Sequence, residues 1–143
     1  MTDGWAGLRA TPKPLTGVSV LEESRTFETS MPTPQVIGLL TTALGLSSWL
    51  GEVGSLKLGV GAKVTVKAEE DSFEILFTCL DFPGHIVFMS EGLGELDFKL
   101  TESKAGTRIQ AVIRRAVTPE EQSAWEKATA QILQRFEMVA SNA

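Results

Sequence analysis

The sequence predicts an α+β domain in which helices cover one face of a curved antiparallel sheet. Three observations carry this prediction. From about Val64 to Arg115 the chain alternates apolar and polar residues in short runs separated by turn-forming residues. Helical periodicity is confined to two places, one after Pro32 and one after Thr118. Connections this short favour antiparallel pairing, because parallel strands need crossovers of about a dozen residues or more. Helices segregated in this way share one sheet face, since neither element leaves its apolar side in water.

Residues 1–16, with Gly4, Gly7, Pro12 and Pro14 among small and polar residues, read as a flexible N-terminal arm whose one large aromatic is Trp5. Residues 17–143 read as one domain. Strand character begins at Val18 and lasts to Thr29, with Arg25, Phe27 and Thr29 on one side; its sparse apolar content suits a sheet edge. Pro32 and Pro34 break that pattern. Thr33 is expected to cap a helix that starts at Pro34 and runs through Val36, Ile37, Leu39, Leu40 and Ala43 to Gly45. A second short helix, Leu46 to Leu50, carries Trp49 and stops at Gly51.

Leu56 and Leu58 suggest a brief strand. Gly59 and Gly61 mark a tight connection, after which Val64 and Val66 alternate with Lys63, Thr65 and Lys67. Beyond a turn at Glu69-Glu70-Asp71-Ser72, the residues Phe73, Ile75, Phe77 and Cys79 are expected on one face. Asp81-Phe82-Pro83-Gly84 turns the chain into a strand from His85 to Glu91. Strands over Leu96–Leu100 and Thr107–Arg115 follow, the latter with Ile109, Ala111 and Ile113 on one side. The last segment, Thr118 to about Val139, has the best-marked start in the chain. Thr118 is the expected N-cap, Pro119 the first helical residue and Glu121 the partner that closes a capping box. Trp125, Ala128, Ile132, Leu133, Phe136 and Val139 form its apolar stripe.

Composition narrows the function classes. At 143 residues the chain can bury a core without disulfides or a metal. Its 13 basic and 18 acidic residues give a formal charge of -5, with no block of Lys or Arg. That argues against nucleic acid and anionic membrane surfaces as partners, both of which call for clustered positive charge. No signal segment and no run of about 18 apolar residues is read, so integral membrane association is not expected. The one cysteine, Cys79, cannot form an internal bridge, which suits a reducing compartment and leads us to expect the cytoplasm.

The order of strand, two short helices, further strands and a long final helix resembles the helix-grip fold of the START-like superfamily, also called Bet v 1-like or SRPBCC. Within it, the chain is most similar to proteins like the C-terminal domain of the heat-shock protein 90 ATPase activator. The resemblance spans roughly Arg25 to Val139. It rests on Thr42-Ala43 leading to Ser48-Trp49-Leu50-Gly51, on the Gly59-Val60-Gly61 turn, and on Asp81-Phe82-Pro83 before His85-Ile86-Val87-Phe88. Leu96–Leu100, Gly106-Thr107-Arg108 and Trp125 complete it. The resemblance implies a sheet wrapped around the final helix, with an apolar pocket between them closed at one end by the early helices. Members of the superfamily include binders of lipids, sterols and other small hydrophobic molecules, aromatic polyketide cyclases and cochaperones. The separate N-terminal domain of the full cochaperone has no counterpart here, so direct chaperone activation is not expected.

The expected ligand wall comprises Phe73, Phe77, Phe88, Phe98, Ile109, Ile113, Trp125, Ile132 and Phe136. If these residues leave a cavity, an apolar molecule gains about 25 cal/mol per Å² of surface removed from water there; if they interdigitate, they are a solid core. Glu91, Arg108, Arg114 and Arg115 are the charged residues nearby. Arg115 shares strand parity with Ile113, so it is the one expected at the pocket mouth, where a guanidinium can hold a carboxylate or enolate oxygen. His85 is the only residue able to shuttle a proton near neutrality, with no second catalytic group evident beside it. Cys79, flanked by aliphatic residues, reads as an inert buried thiol. Trp49 reads either as a partner-facing patch or as an anchor for its short helix.

No catalytic residues and no cofactor are assigned. One His and one Cys cannot build a zinc cluster, the acids lack calcium-loop spacing, and neither a phosphate loop nor a serine elbow occurs. The expected function is binding of a small hydrophobic or amphipathic molecule between sheet and final helix. Two alternatives stand beside it: a polyketide cyclase-like or hydrolase-like enzyme using His85 or a pocket-mouth Arg, and a protein-interaction or chaperone-associated module, for which a homodimer is the simplest partner arrangement.

Overall fold

The computed structural model describes residues 18–69 and 71–141. The chain runs β1 (Ser19–Thr29), α1 (Thr33–Thr41), α2 (Ala43–Ser47), β2 (Lys63–Ala68), β3 (Asp71–Asp81), β4 (His85–Ser90), β5 (Gly94–Glu102), β6 (Thr107–Val117) and α3 (Pro119–Ser141). The six strands form one curved antiparallel sheet in the order β1-β6-β5-β4-β3-β2. Successive strands from β2 to β6 therefore neighbour one another, as short turns require. β1 then closes onto β6 along its whole length, Ser19 opposite Val117 and Thr29 opposite Thr107. The arm expected over residues 1–16, with Trp5, lies outside the described residues, as does Glu70 in the β2–β3 turn.

Helix α3 lies across the inner face of the sheet. It buries Trp125, Thr129, Leu133, Phe136 and Ala140, spaced by three and four so that they form a single stripe. Ala128, Ile132 and Val139 flank that stripe and are only partly buried. The Glu121 half of the expected capping box is present: its carboxylate accepts the Thr118 backbone N–H at 3.0 Å, while the Glu121 N–H donates to the Thr118 carbonyl. At the far end the Thr29 hydroxyl donates to the Ala140 carbonyl, which fastens the last turn of α3 to the end of β1.

Four sequence-based expectations are corrected. The brief strand at Leu56–Leu58 does not form; that stretch is irregular, and the nearest pairing is an isolated bridge between Glu52 and Lys67. The break between the early helices falls at Thr42, not Gly45. Thr42 is extended, and its side chain caps α2 by accepting the Gly45 N–H at 2.9 Å, so α2 spans residues 43–47 rather than 46–50. Gly45 does a different job. A Cβ there would stand 1.9 Å from the Gly38 carbonyl oxygen, so only glycine lets α2 lie backbone to backbone on α1. Thr33 does not cap α1: Pro32 occupies that position, and the Thr33 hydroxyl instead pairs with that of Thr107 at 2.9 Å. The fourth correction concerns β3, where the register shifts between Phe77 and Cys79. Such a bulge reverses the facing of everything beyond it, so Cys79 does not share the inner face with Phe73, Ile75 and Phe77.

Candidate functional site

The space between sheet and helix is filled by rings. Trp49 meets Phe98 at 5.8 Å and Phe136 at 5.0 Å between centroids, both edge-on. Phe98 meets Phe136 at 5.1 Å, and Phe77 meets Phe88 at 5.5 Å. Of the ten residues expected to line a pocket, Phe77, Phe88, Phe98, Ile109, Ile113 and Phe136 have no exposed surface at all. A side chain without accessible surface borders no void large enough for a water molecule. These six belong to the buried core of the domain. Trp125 is also buried, and its indole N–H donates to the Leu93 carbonyl at 2.9 Å.

Trp49 is what seals the interior at its other end. It is 2% exposed, and its indole N–H donates to the Leu39 carbonyl at 2.8 Å. The residue therefore anchors the turn after α2 and offers no patch to a partner.

Phe73 and Ile132 behave differently. Both are partly buried, and both line a groove of about 400 Å³ between α3 and the end of the sheet where β2 meets β3. Leu50, Ala68, Leu93 and Ala128 complete its apolar lining, while Asp71, Ser72, Ser90, Gln131 and Arg135 supply polar and charged groups. The geometry follows from the elements. Ile132 and Arg135 are three residues apart on one helical face, and Phe73 is held opposite Val66 in the β2–β3 ladder. The β4–β5 turn that carries Leu93 is fixed to the helix by the Trp125 hydrogen bond. The cleft over Glu52, Ser55, Lys63 and Lys67 is lined mainly by polar groups, while an opening of about 500 Å³ beside Val20, Met89, Arg114 and Arg115 is mainly apolar.

The charged residues expected near the pocket separate onto two faces. Arg115 has the inner-face parity that its sequence position predicts, and its guanidinium pairs with Glu121 of α3 at 3.3 Å. Two interactions hold the Glu121 carboxyl below its ordinary range, first the backbone N–H of Thr118 and then the Arg115 charge. Arg114 lies on the outer face. It donates to Glu22 at 2.6 Å and Glu95 at 2.9 Å, and those bonds raise its already high pKa, Glu22 contributing most. Arg108 and Glu91 are exposed. His85 is on the outer face as well, with Nε2 2.8 Å from Asp97 Oδ1. It does not reach the groove, so His85 and Arg115 do not converge on one cavity.

Asp97 and the outward Cys79 are the functional candidates that sequence reasoning missed. A regular alternation through β3 assigns Cys79 to the core, and nothing local in the sequence marks the bulge that turns it out. Asp97 occupies an ordinary outward position on β5, and only the register of β4 against β5 brings it beside His85.

A six-stranded sheet gripping a long C-terminal helix, with two short helices inserted after β1, is the helix-grip α+β fold. Solved structures with this architecture superpose on most of the chain. A Bacillus halodurans protein determined in solution matches 84% of this chain and 96% of its own, at 16% identity and a TM-score of 0.71. The Aha1 dimer from Colwellia psychrerythraea matches 84% of this chain and 96% of its own, at 14% identity and a TM-score of 0.65. An AHSA1-like protein from Aeromonas hydrophila matches 82% and 90% respectively, at 19% identity and a TM-score of 0.59. No family model and no curated protein sequence matches the chain. At these identities the likeness establishes the fold, the one shared with Aha1-like proteins, and leaves function to the site. Among the described residues no helix is long and apolar enough to cross a membrane.

Proposed function

We propose that this domain binds a small amphipathic molecule in the groove between α3 and the β2–β3 end of the sheet. The observation that carries the proposal is the opening of about 400 Å³ lined by Phe73 and Ile132, two residues of the expected ligand wall that packing leaves partly exposed. Its size suits a short acyl chain or one small ring system. The apolar part of the ligand lies on Leu50, Phe73, Leu93 and Ile132, and a carboxylate or similar anion reaches Arg135 at the rim. Entry deeper into the domain requires Trp49 or Phe136 to move. The lone thiol is consistent with work in the reducing cytoplasm. Titration of the protein with decanoate, followed by calorimetry, tests the reading. Saturable binding to one site supports it, and absence of heat up to the solubility limit of the fatty acid removes it.

A second reading, self-association, draws on the dimer described for the Colwellia neighbour and on the two strands at the ends of the sheet order, β1 and β2. Sedimentation equilibrium separates the two readings: a monomer at micromolar concentration leaves only the ligand-binding one.

A further inference from the structure

On the face of the sheet turned away from α3, three side chains stand in the order nucleophile, base and orienting acid. The β3 bulge sets Cys79 opposite Val87, and Val87 is opposite Asp97 on the next strand. His85 precedes Val87 by two residues on the same face of β4, which makes it the diagonal neighbour of both. Its ring bridges them: Nε2 lies 2.8 Å from Asp97 Oδ1, and Nδ1 lies 3.8 Å from Cys79 Sγ. A carboxylate only accepts hydrogen bonds, so Nε2 carries the ring proton in the neutral imidazole, and Nδ1 presents its lone pair to the thiol. Asp97 is itself held, with 13% of its side chain exposed and Arg114 Nη1 3.6 Å from its other oxygen. Val87 between them is 5% exposed, while Cys79 is partly open to solvent.

We propose that Cys79 is a nucleophilic thiol that reacts with hydroperoxides, with His85 as its base and Asp97 as the residue that positions His85. The arrangement meets the geometric requirement for an activated nucleophile, a base within reach of the thiol and a third group orienting the base. The row lies on an open sheet surface, which suits a small electrophile rather than a substrate that must be enclosed. In the reaction the thiol proton passes to His85 Nδ1 and the thiolate attacks one peroxide oxygen. The S–O bond forms as the O–O bond breaks, sulfur is oxidised by two electrons, and the departing oxygen takes the proton from His85 to leave as water. Thiol and hydrogen peroxide thus give sulfenic acid and water.

Cys79 is the only cysteine in the chain, so every thiol signal belongs to it. The experiment measures the rate of sulfenic acid formation with hydrogen peroxide, trapped by dimedone and read by mass spectrometry, in the native protein and in urea. The native rate at neutral pH is expected to exceed the unfolded one by about a hundredfold, the lower end of the range for acid–base assistance. A native rate equal to or below the unfolded one overturns the proposal without any variant having to fold. His85→Gln is expected to bring the native rate within about twofold of the unfolded one. For Asp97→Asn the rate falls by less, and its pH profile moves away from that of the wild type, which a merely structural role does not produce. The charges facing this row are Asp81 and Lys99 opposite His85, and Arg114 with Glu95 and Glu22 beyond Asp97. Lys99→Met, which removes a facing charge and no member of the row, serves as the comparison. An unchanged rate in His85→Gln sinks the assignment of the base, and with it the proposal.

Discussion

Trp49 and Phe136 meet edge to face with their ring centroids 5.0 Å apart and their planes at 67°. One ring comes from the turn after the early helices and the other from the C-terminal part of α3, so this contact joins the two helical parts of the domain over the sheet. Phe136 has no exposed surface, and truncating it leaves a void whose walls relax only in part. Phe136→Ala is expected to lower stability by about 3–5 kcal/mol, measured by urea unfolding. A loss under about 1 kcal/mol would show that the core is less closely packed than the ring contacts indicate.

Gly94 opens β5 at a backbone φ of +98°, and a Cβ there would lie 2.1 Å from the Arg114 carbonyl oxygen on the neighbouring strand. Both the conformation and the contact exclude a side chain. Gly94→Ala is expected to destabilise by about 1–3 kcal/mol from the backbone conformation alone, with more added by the steric overlap. Thermal unfolding checks this, and a midpoint within a degree of the wild type would contradict it.

Much of the architecture was legible in the sequence because it rests on period and capping. The alternation of Leu96, Phe98 and Leu100 and of Ile109, Ala111 and Ile113 locates β5 and β6, and Thr118-Pro119-Glu120-Glu121 locates the start of α3. The errors lie where tertiary contacts decide between local alternatives. Thr33 and Thr42 are equally good caps by residue type; Thr42 takes that role and Thr33 bonds to Thr107, 74 positions away. Whether nine apolar side chains enclose a void or fill it depends on their interlocking, and no pattern of residue types contains that. For the candidate site, Phe73 and Ile132 were legible as apolar residues on the right elements, but their separation from the closed six was not. Cys79 was assigned to the wrong face because one bulge reverses the parity of β3.

Acid stability offers a check on the start of α3. Glu121 titrates below its ordinary value of 4.5 because its ionised form accepts the Thr118 N–H and faces Arg115. A carboxyl depressed by folding adds stability that is present above the unfolded pKa and is lost as pH falls through the folded one. In Glu121→Gln that contribution is absent at every pH. The stability gap between wild type and variant is therefore expected to be constant around neutrality and to narrow as the pH falls below the ordinary carboxyl value of 4.5. Added salt narrows it, since the carboxylate is exposed. A gap that persists unchanged into acid would assign the effect to something other than this ionisation.

The groove is tested by charge. Ile132 is partly buried and packs against the edge of the core, so Ile132→Arg is expected to abolish decanoate binding with a stability loss of about 0.5–3 kcal/mol. Arg135→Ala is expected to weaken binding by about tenfold, the loss of one charge-assisted hydrogen bond. Calorimetry on both variants reads these outcomes. Equal affinity in wild type and Ile132→Arg would place the ligand elsewhere.

The central claim is that the interior is solid and the ligand lies in the groove beside α3. The most direct measurement is a methyl NMR titration with decanoate, comparing Leu50, Leu93 and Ile132 with Ile109 and Ile113. The account predicts saturable shifts at the first three and unmoved resonances for the two isoleucines, which have no exposed surface. Shifts at Ile109 and Ile113, with Ile132 unmoved, would mean that the domain opens and binds its ligand inside, and would contradict it.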